Sequence, residues 1–382
     1  MVSAFERIML EMMQNPPDPN EPLPTSNLPV TMYGATIPFH ILAWTAVLWR
    51  LYTRFKIVRE PGWDDFFVIL AALFNLVSMI TFLESIRHGM GKHLLSIDPS
   101  ILKTCFKWLY VQGASYYTTT ALIKISLLCQ YLRIFRIGFL RPTCIVLLGI
   151  VTVWGVAFSF MAWFPCFPVS GFWDRMQQPP PKCYGFGFAD LAGATAAFVG
   201  FAATNMFLDL VIFLIPMAEY FKPNLRRKEV LAMTGLFLLG SIVVLMSILR
   251  LWTAAKHNAN DVSTFDFTWW YPLTLIISCI EVDFAIMCAS MPIFWPAIVE
   301  SLSQISAIFV TKEIHVTSHQ RLDEDPDIEM DRPTSFKSNS SQEGLTKVSE
   351  LTKADSLTRA HVTGTIPTKI EVGVDKKGHA WL

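Results

Sequence analysis

Seven apolar runs, each long enough to cross a lipid bilayer, decide most of what this chain can fold into. They cover Tyr33–Tyr52, Phe66–Ser85, Trp108–Arg133, Thr143–Phe164, Leu191–Tyr220, Val230–Ala255 and Trp270–Pro296. About twenty residues of helix span a ~30 Å hydrocarbon layer, so the expected fold is all-α. It is a seven-transmembrane-helix bundle over residues 33–296, with the lipid bilayer as its first partner. With 52% hydrophobic and 16% charged residues the chain is far from a soluble composition. A formal net charge of zero gives no footing for nucleic-acid binding. No run repeats another closely enough to suggest an inverted-repeat transporter.

The third run carries the strongest internal constraint. Lys124 lies inside its apolar part, and a lone ammonium there costs several kcal/mol unless other spans supply a partner. Tyr117, Thr120, Leu128 and Tyr131 share its helical face at three- and four-residue steps, so that face should point inward. The fifth run offers Asn205 and Asp209, four apart on one face, ahead of Pro216. The seventh offers Glu281 and Asp283, with Thr274 and Ser278 on the face of Glu281. Counted from the outer ends, Lys124 and Asp209 both fall roughly 24 Å deep, at ~1.5 Å per residue. The expectation is a Lys124–Asp209 pair held by Asn205, forming the floor of an outward-facing cavity bordered by Glu281 and Tyr117. Two cations, Lys124 and Arg250, meet three acids, which leaves one acid in excess, expected to be Glu281. Arg250, beside Ser247 in the sixth run, is placed with Tyr117, Lys124, Asn205, Asp209, Glu281 and Asp283 in the polar core; it lies near the outer end, so snorkelling is the alternative.

Outside the runs, residues 1–32 form a tail with six prolines between Pro16 and Pro29. Glu6, Arg7 and Glu11 break up the first fourteen residues before a signal-peptide core forms, so the first span is expected to act as signal-anchor. Loops one, three and five are basic (Arg54, Lys56, Arg59; Arg136, Arg141; Lys222, Arg226, Arg227, Lys228), and loop two, with Arg87, Lys92, Lys103 and Lys107, dissents. The balance places the N-terminus outside and the C-terminus in the cytoplasm, with the plasma membrane as the expected location. Residues 297–310 continue an apolar helical stripe and are expected to lie on the inner leaflet. Residues 311–382 are polar, with an acidic run from Asp323 to Asp331 and candidate phosphorylation sites at Ser335, Ser338, Ser340 and Ser341, and should be disordered.

Shorter motifs add detail. In Gly62-Trp63-Asp64-Asp65, Asp64 can cap the second helix while Trp63 rests at the interface. Together with Asp65 and Arg133 these residues mark a candidate inner interface. In His88-Gly89-Met90-Gly91-Lys92-His93 the glycines stop the helix, and neither a phosphate loop nor a metal site is expected. Ala196, Gly200 and Thr204 form a small-residue seam suited to close helix contact. Of seven cysteines, Cys105, Cys166 and Cys183 fall on the oxidising side. The economical bridge is Cys166–Cys183, closing the fourth loop; Cys105–Cys183 is the rival.

Taken together, GWDD, HGMGKH, LIKISLLCQYLRIF, CFPVSGFWD with its later cysteine, NMFLDLVIFLIP, FLLGSIVVLMSILR and IEVDFAIMCASMP resemble the fungal rhodopsin-domain integral membrane proteins. That family includes Pth-type receptor-like proteins and membrane components of satratoxin-type gene clusters. The likeness spans about residues 33–296 and implies a receptor-like, non-enzymatic role. The implied partners are a small apolar or amphipathic ligand and, as a candidate, a heterotrimeric G protein. The alternative is a membrane component of a secondary-metabolite cluster that moves or sequesters a product. No cofactor is expected. Retinal is not implied, because the seventh run has no lysine to bind it. No metalloprotease or serine-hydrolase motif appears.

Overall fold

A computed structural model describes residues 12–14, 16, 18, 21–135, 138–174, 180–187, 191–220, 227–256 and 266–309; for residues 191, 218–220, 227–233 and 293–309 only the backbone is described. The tail 311–382, its acidic run and its serines lie outside these residues. Among the described residues the long helices are α1 (Pro29–Tyr52), α2 (Trp63–Arg87), α3 (Pro99–Ile134), α4 (Leu140–Trp163), α5 (Leu191–Tyr220), α6 (Arg227–Lys256) and α7 (Phe267–Phe309). A two-stranded hairpin, β1 (Cys166–Phe167) with β2 (Lys182–Cys183), lies between α4 and α5.

Each helix packs on the next, and α7 returns to α1, closing a ring. Helix α3 also touches α5 and α7, which makes it the central strut. The burial pattern is inverted relative to a water-soluble bundle. On α4, Ile145, Val153, Val156 and Phe160 are exposed, while Ser115, Thr119, Ser126 and Gln130 of α3 are buried. Apolar side chains face outward where lipid replaces water as solvent, and polar ones find partners inside. Among the described residues, six helical segments are long and apolar enough to cross a membrane: Pro29–Val58, Trp63–Arg87, Leu140–Trp163, Ala192–Met217, Thr234–Lys256 and Phe267–Pro292. The protein is a multi-pass membrane protein. Helix α3 is 36 residues long but is not among the six; Gln112, Thr118, Thr119, Thr120, Lys124 and Gln130 make it the most polar of the set. Its polarity suits the centre, where every face meets protein.

Several boundaries differ from the sequence reading. The first helix starts at Pro29, because a proline at the first helical position loses no hydrogen bond. The third starts at Pro99 for the same reason, and its first backbone hydrogen bond runs from Leu102 N–H to Asp98 O. The expected separate helix at 297–310 is instead the continuation of α7, one element of 43 residues through Pro296. The proline-rich tail does not simply trail away. Asn27 is buried, and its Nδ2 donates to Gly91 O (3.2 Å) and Trp269 O (2.7 Å), pinning the start of α1 to loop two and α7. Gly91 has φ +94°, and a Cβ there would come within 2.9 Å of Asn27 O, so the HGMGKH glycines serve this latch as well as ending α2. His93 completes it: its ring stacks on Trp269 at 3.8 Å and its Nδ1 lies 2.6 Å from Asp266.

The small-residue seam also falls elsewhere. A Cβ on Gly200 would meet nothing within 4 Å, whereas one on Gly155 would strike the Cβ of Ala121 at 2.6 Å. The tight crossing is therefore α3 on α4. Gly155→Leu should destabilise the purified protein by about 1–3 kcal/mol through overpacking, while Gly200→Leu should leave it near wild type. Thermal unfolding followed by fluorescence-detected size exclusion compares the two directly.

Candidate functional site

Besides the latch at Asn27, His93 and Asp266, three buried polar groups stand out among the described residues. The central one is built from α3, α5, α6 and α7. Lys124 Nζ reaches Asp209 Oδ1 at 2.5 Å. Asn205, one turn before Asp209, donates to both acids: to Asp209 Oδ2 at 2.9 Å and to Glu281 Oε1 at 2.8 Å. Ser247 Oγ lies 2.9 Å from the same two oxygens, and its single proton serves one of them at a time. Arg250 Nε donates to Glu281 Oε2 at 2.7 Å. Asn205, Ser247, Arg250 and Glu281 are all at most 4% exposed. Arg250 thus does not snorkel: one turn from Ser247 on α6, it turns inward and lays its guanidinium over Phe201 (5.2 Å) and Tyr116 (5.7 Å).

The acid in excess is not Glu281, which has Arg250, but Asp283. It meets His40 Nδ1 at 3.2 Å and Asn75 Nδ2 at 2.8 Å. Trp44 Nε1 donates to His40 Nε2 at 3.1 Å, and an indole N–H can only donate, so the imidazole proton sits on Nδ1, facing Asp283. His40 and Asn75 escape sequence reasoning, since a lone polar residue in each of two apolar runs is unremarkable until α1, α2 and α7 meet.

The GWDD turn holds the third group. Arg50 is fully buried; its Nε donates to Asp65 Oδ1 at 2.8 Å, its Nη2 to Asp64 Oδ2, and its Nη1 to the Ala289 carbonyl of α7. Arg54 adds a 3.3 Å contact to Asp64, and Arg133 lies 3.7 Å from Asp64 and 2.9 Å from Glu60. The residue that caps α2 is Asp65, which accepts from Gly62 N at 3.0 Å, leaving Asp64 free for the arginines. Gly62 is needed for space: a Cβ would fall 2.4 Å from Asp64 Oδ1. Trp63 is exposed, apart from the cluster. Arg50 and Arg54, which the sequence presents as flanking positive charges, are neutralised within the fold.

Two cavities adjoin the central network. The larger, about 140 Å³, opens among α3, α5 and α7 beneath the hairpin. Its walls include Tyr116, Tyr117, Phe198, Phe201 and Tyr271, with Arg250, Thr274, Ser278 and Gln112 as polar residues. The smaller, about 40 Å³, is bordered by Lys124, Asp209 and Glu281. Arg250, not the Lys124–Asp209 pair, therefore gives the larger cavity its charge. A Cys166–Cys183 disulfide ties the hairpin across paired strands, while Cys105 is free and buried on α3. Just after it, Phe186 stacks on Tyr117 at 4.4 Å and closes one wall.

A fungal rhodopsin domain model matches residues 49–300, from the end of α1 through most of α7. The chain belongs to this family. It is 23% identical over 277 residues to "Wortmanamides biosynthesis cluster protein C" of Talaromyces wortmannii, covering 71% of each chain. It is 22% identical over 241 residues to a "SAT4 family membrane protein" of Emericella nidulans, covering 62% of this chain and 57% of that one. No solved structure matches. Helix α7 has no lysine, and Lys124 is engaged by Asp209 beside the smaller cavity.

Removing one member of a buried ion pair costs about 3–5 kcal/mol, whereas replacing both with apolar residues can be neutral. Lys124→Met and Asp209→Leu should each sharply lower folded yield, and the double variant should recover most of it. Folded protein per cell, measured by size exclusion after mild solubilisation, reports all three. Equal yields from the two single variants and wild type would show the pair to be dispensable.

Proposed function

We propose that this protein is a seven-transmembrane receptor-like protein, not an enzyme, that binds a small apolar or amphipathic molecule in the larger cavity. The supporting observation is the cavity itself: aromatic walls surround a few convergent polar groups next to a buried charge network, as small-molecule sites do. Helix α3 counts as the seventh span in this reading, its polarity being met by neighbours on four sides. The N-terminus and the disulfide hairpin face outward, since a disulfide persists on the oxidising side; the tail after α7 lies in the cytoplasm, at the plasma membrane. Ligand binding would act on the Arg250–Glu281 link between α6 and α7, the two helices that lead to loop five and to the tail. A heterotrimeric G protein is one partner that such a surface would serve.

A second reading is favoured by one observation, the relative from a wortmanamide biosynthesis cluster. On that reading the protein is a membrane component of a secondary-metabolite pathway, and the cavity sequesters or passes a product.

One measurement tests the topology and a second separates the two readings. Epitope tags at the two ends, in sealed cells, should be accessible to protease only at the N-terminus; the reverse would invert the topology. A deletion strain complemented with wild type, with a chain ending at Thr311, or with Ala202→Trp, which fills the cavity wall, tests the role. Signalling expects the truncated chain and the filled cavity both to mimic deletion in the transcriptional profile. Transport expects product export to survive truncation and to fail only with the filled cavity.

A further inference from the structure

The larger cavity contains two donors with nothing to bond. Among the described residues, Arg250 Nη2 and Thr274 Oγ1 are buried and have no hydrogen-bond partner. Threonines elsewhere in the bundle return their hydroxyl to the carbonyl four residues back, as Thr36 does to Met32 O at 2.7 Å and Thr118 to Ala114 O at 2.9 Å. Thr274 Oγ1 does not, and the Thr274 carbonyl is itself taken by Ser278 at 2.8 Å. Leaving a buried polar group unpaired is costly, more so when it carries charge. Both residues border the same cavity.

We propose that this cavity takes a neutral aromatic molecule bearing a carbonyl oxygen, and that Arg250 Nη2 and Thr274 Oγ1 receive that oxygen. The proposal rests on the cavity-binding reading above and names its ligand class. A guanidinium only donates, so the ligand atom it meets must be an acceptor. Nε is committed to Glu281, and the face of the group lies over Phe201 and Tyr116, which leaves the Nη2 edge for the ligand. The acceptor is neutral because the network is already balanced: Lys124 and Arg250 against Asp209 and Glu281. A third carboxylate would enter a desolvated site with no cation to meet it. The ligand is aromatic because Tyr116, Phe198, Phe201 and Tyr271 offer ring faces and edges for stacking. At about 140 Å³ the space suits a single ring, an apolar cavity of ~150 Å³ being enough for benzene, and because the cavity is not fully enclosed a short substituent can extend from it.

The test uses three molecules of nearly one shape: acetophenone, ethylbenzene and benzoate. Their binding to the full chain in lipid nanodiscs is measured by saturation-transfer NMR, with empty nanodiscs subtracted. Acetophenone should bind about tenfold more tightly than the other two, the worth of a charge-assisted hydrogen bond. Thr274→Val should weaken acetophenone about fivefold and leave ethylbenzene unchanged, which a merely misfolded variant would not do. The carbonyl stretch of ¹³C-labelled acetophenone should fall on binding and recover part of that fall in Thr274→Val. Arg250→Lys, which keeps a cation beside Glu281, should likewise lose the preference for acetophenone over ethylbenzene. Tighter binding of benzoate would overturn the neutral acceptor. Equal binding of acetophenone and ethylbenzene would overturn the assignment to Arg250 and Thr274 while leaving the cavity reading intact. If none of the three binds, the cavity reading fails and the ligand class fails with it.

Discussion

Arg250 and Lys124 are buried in the interior of a membrane-embedded bundle, where an unpaired cation costs several kcal/mol, so this bundle holds its form only while α5 and α7 bring Asp209 and Glu281 to them. Everything around that meeting serves it. Asn205 spans the two acids, Ser247 lies between them, and the rings of Trp154, Phe201 and Tyr116 cover the cations. Hydrophobic burial gives little guidance to helices surrounded by lipid, and so polar contacts and close packing must set their register. Here the register of α3, α5, α6 and α7 is fixed by one shared network. The same principle recurs at the GWDD turn, where Arg50 binds α1 to α2 through two aspartates and to α7 through a backbone carbonyl.

How much of this could be read from the chain depended on whether the deciding quantity was periodic. Counting residues from span ends sets Lys124 and Asp209 at one depth, and the structure has them 2.5 Å apart. The bracketing cysteines suggest the hairpin closure, which the Cys166–Cys183 bond makes. Rotation about a helix axis is harder to read than depth. A shift of one residue turns a side chain by about 100°, which is why Asp65 rather than Asp64 caps α2. The same ambiguity left Arg250 open between a polar-core place and snorkelling until α7 is positioned and Glu281 meets it at 2.7 Å.

Other features were illegible for a different reason. Arg50 and Arg54 look like the basic flank of any first span, and only the fold shows them consumed by internal acids. His40 and Asn75 belong to separate runs with nothing local to link them, and Asp283 joins them from over two hundred residues away. The Gly200 seam illustrates the reverse error, a pattern that fits a rule but faces open space, while Gly155 and Gly240 carry the close contacts.

The latch between Asn27 and Trp269 has a consequence for biosynthesis. Its two halves are 242 residues apart in the chain, and the carbonyl that receives Arg50 belongs to the same last helix. A chain made only as far as α6 therefore still lacks Glu281, Asp283 and Ala289; Arg250 and His40 are without their α7 partners, while Arg50 already has Asp64 and Asp65. Ring closure therefore waits for α7, and until that helix is made Arg250 lacks the carboxylate that balances it and Asn27 lacks the backbone carbonyl that anchors it.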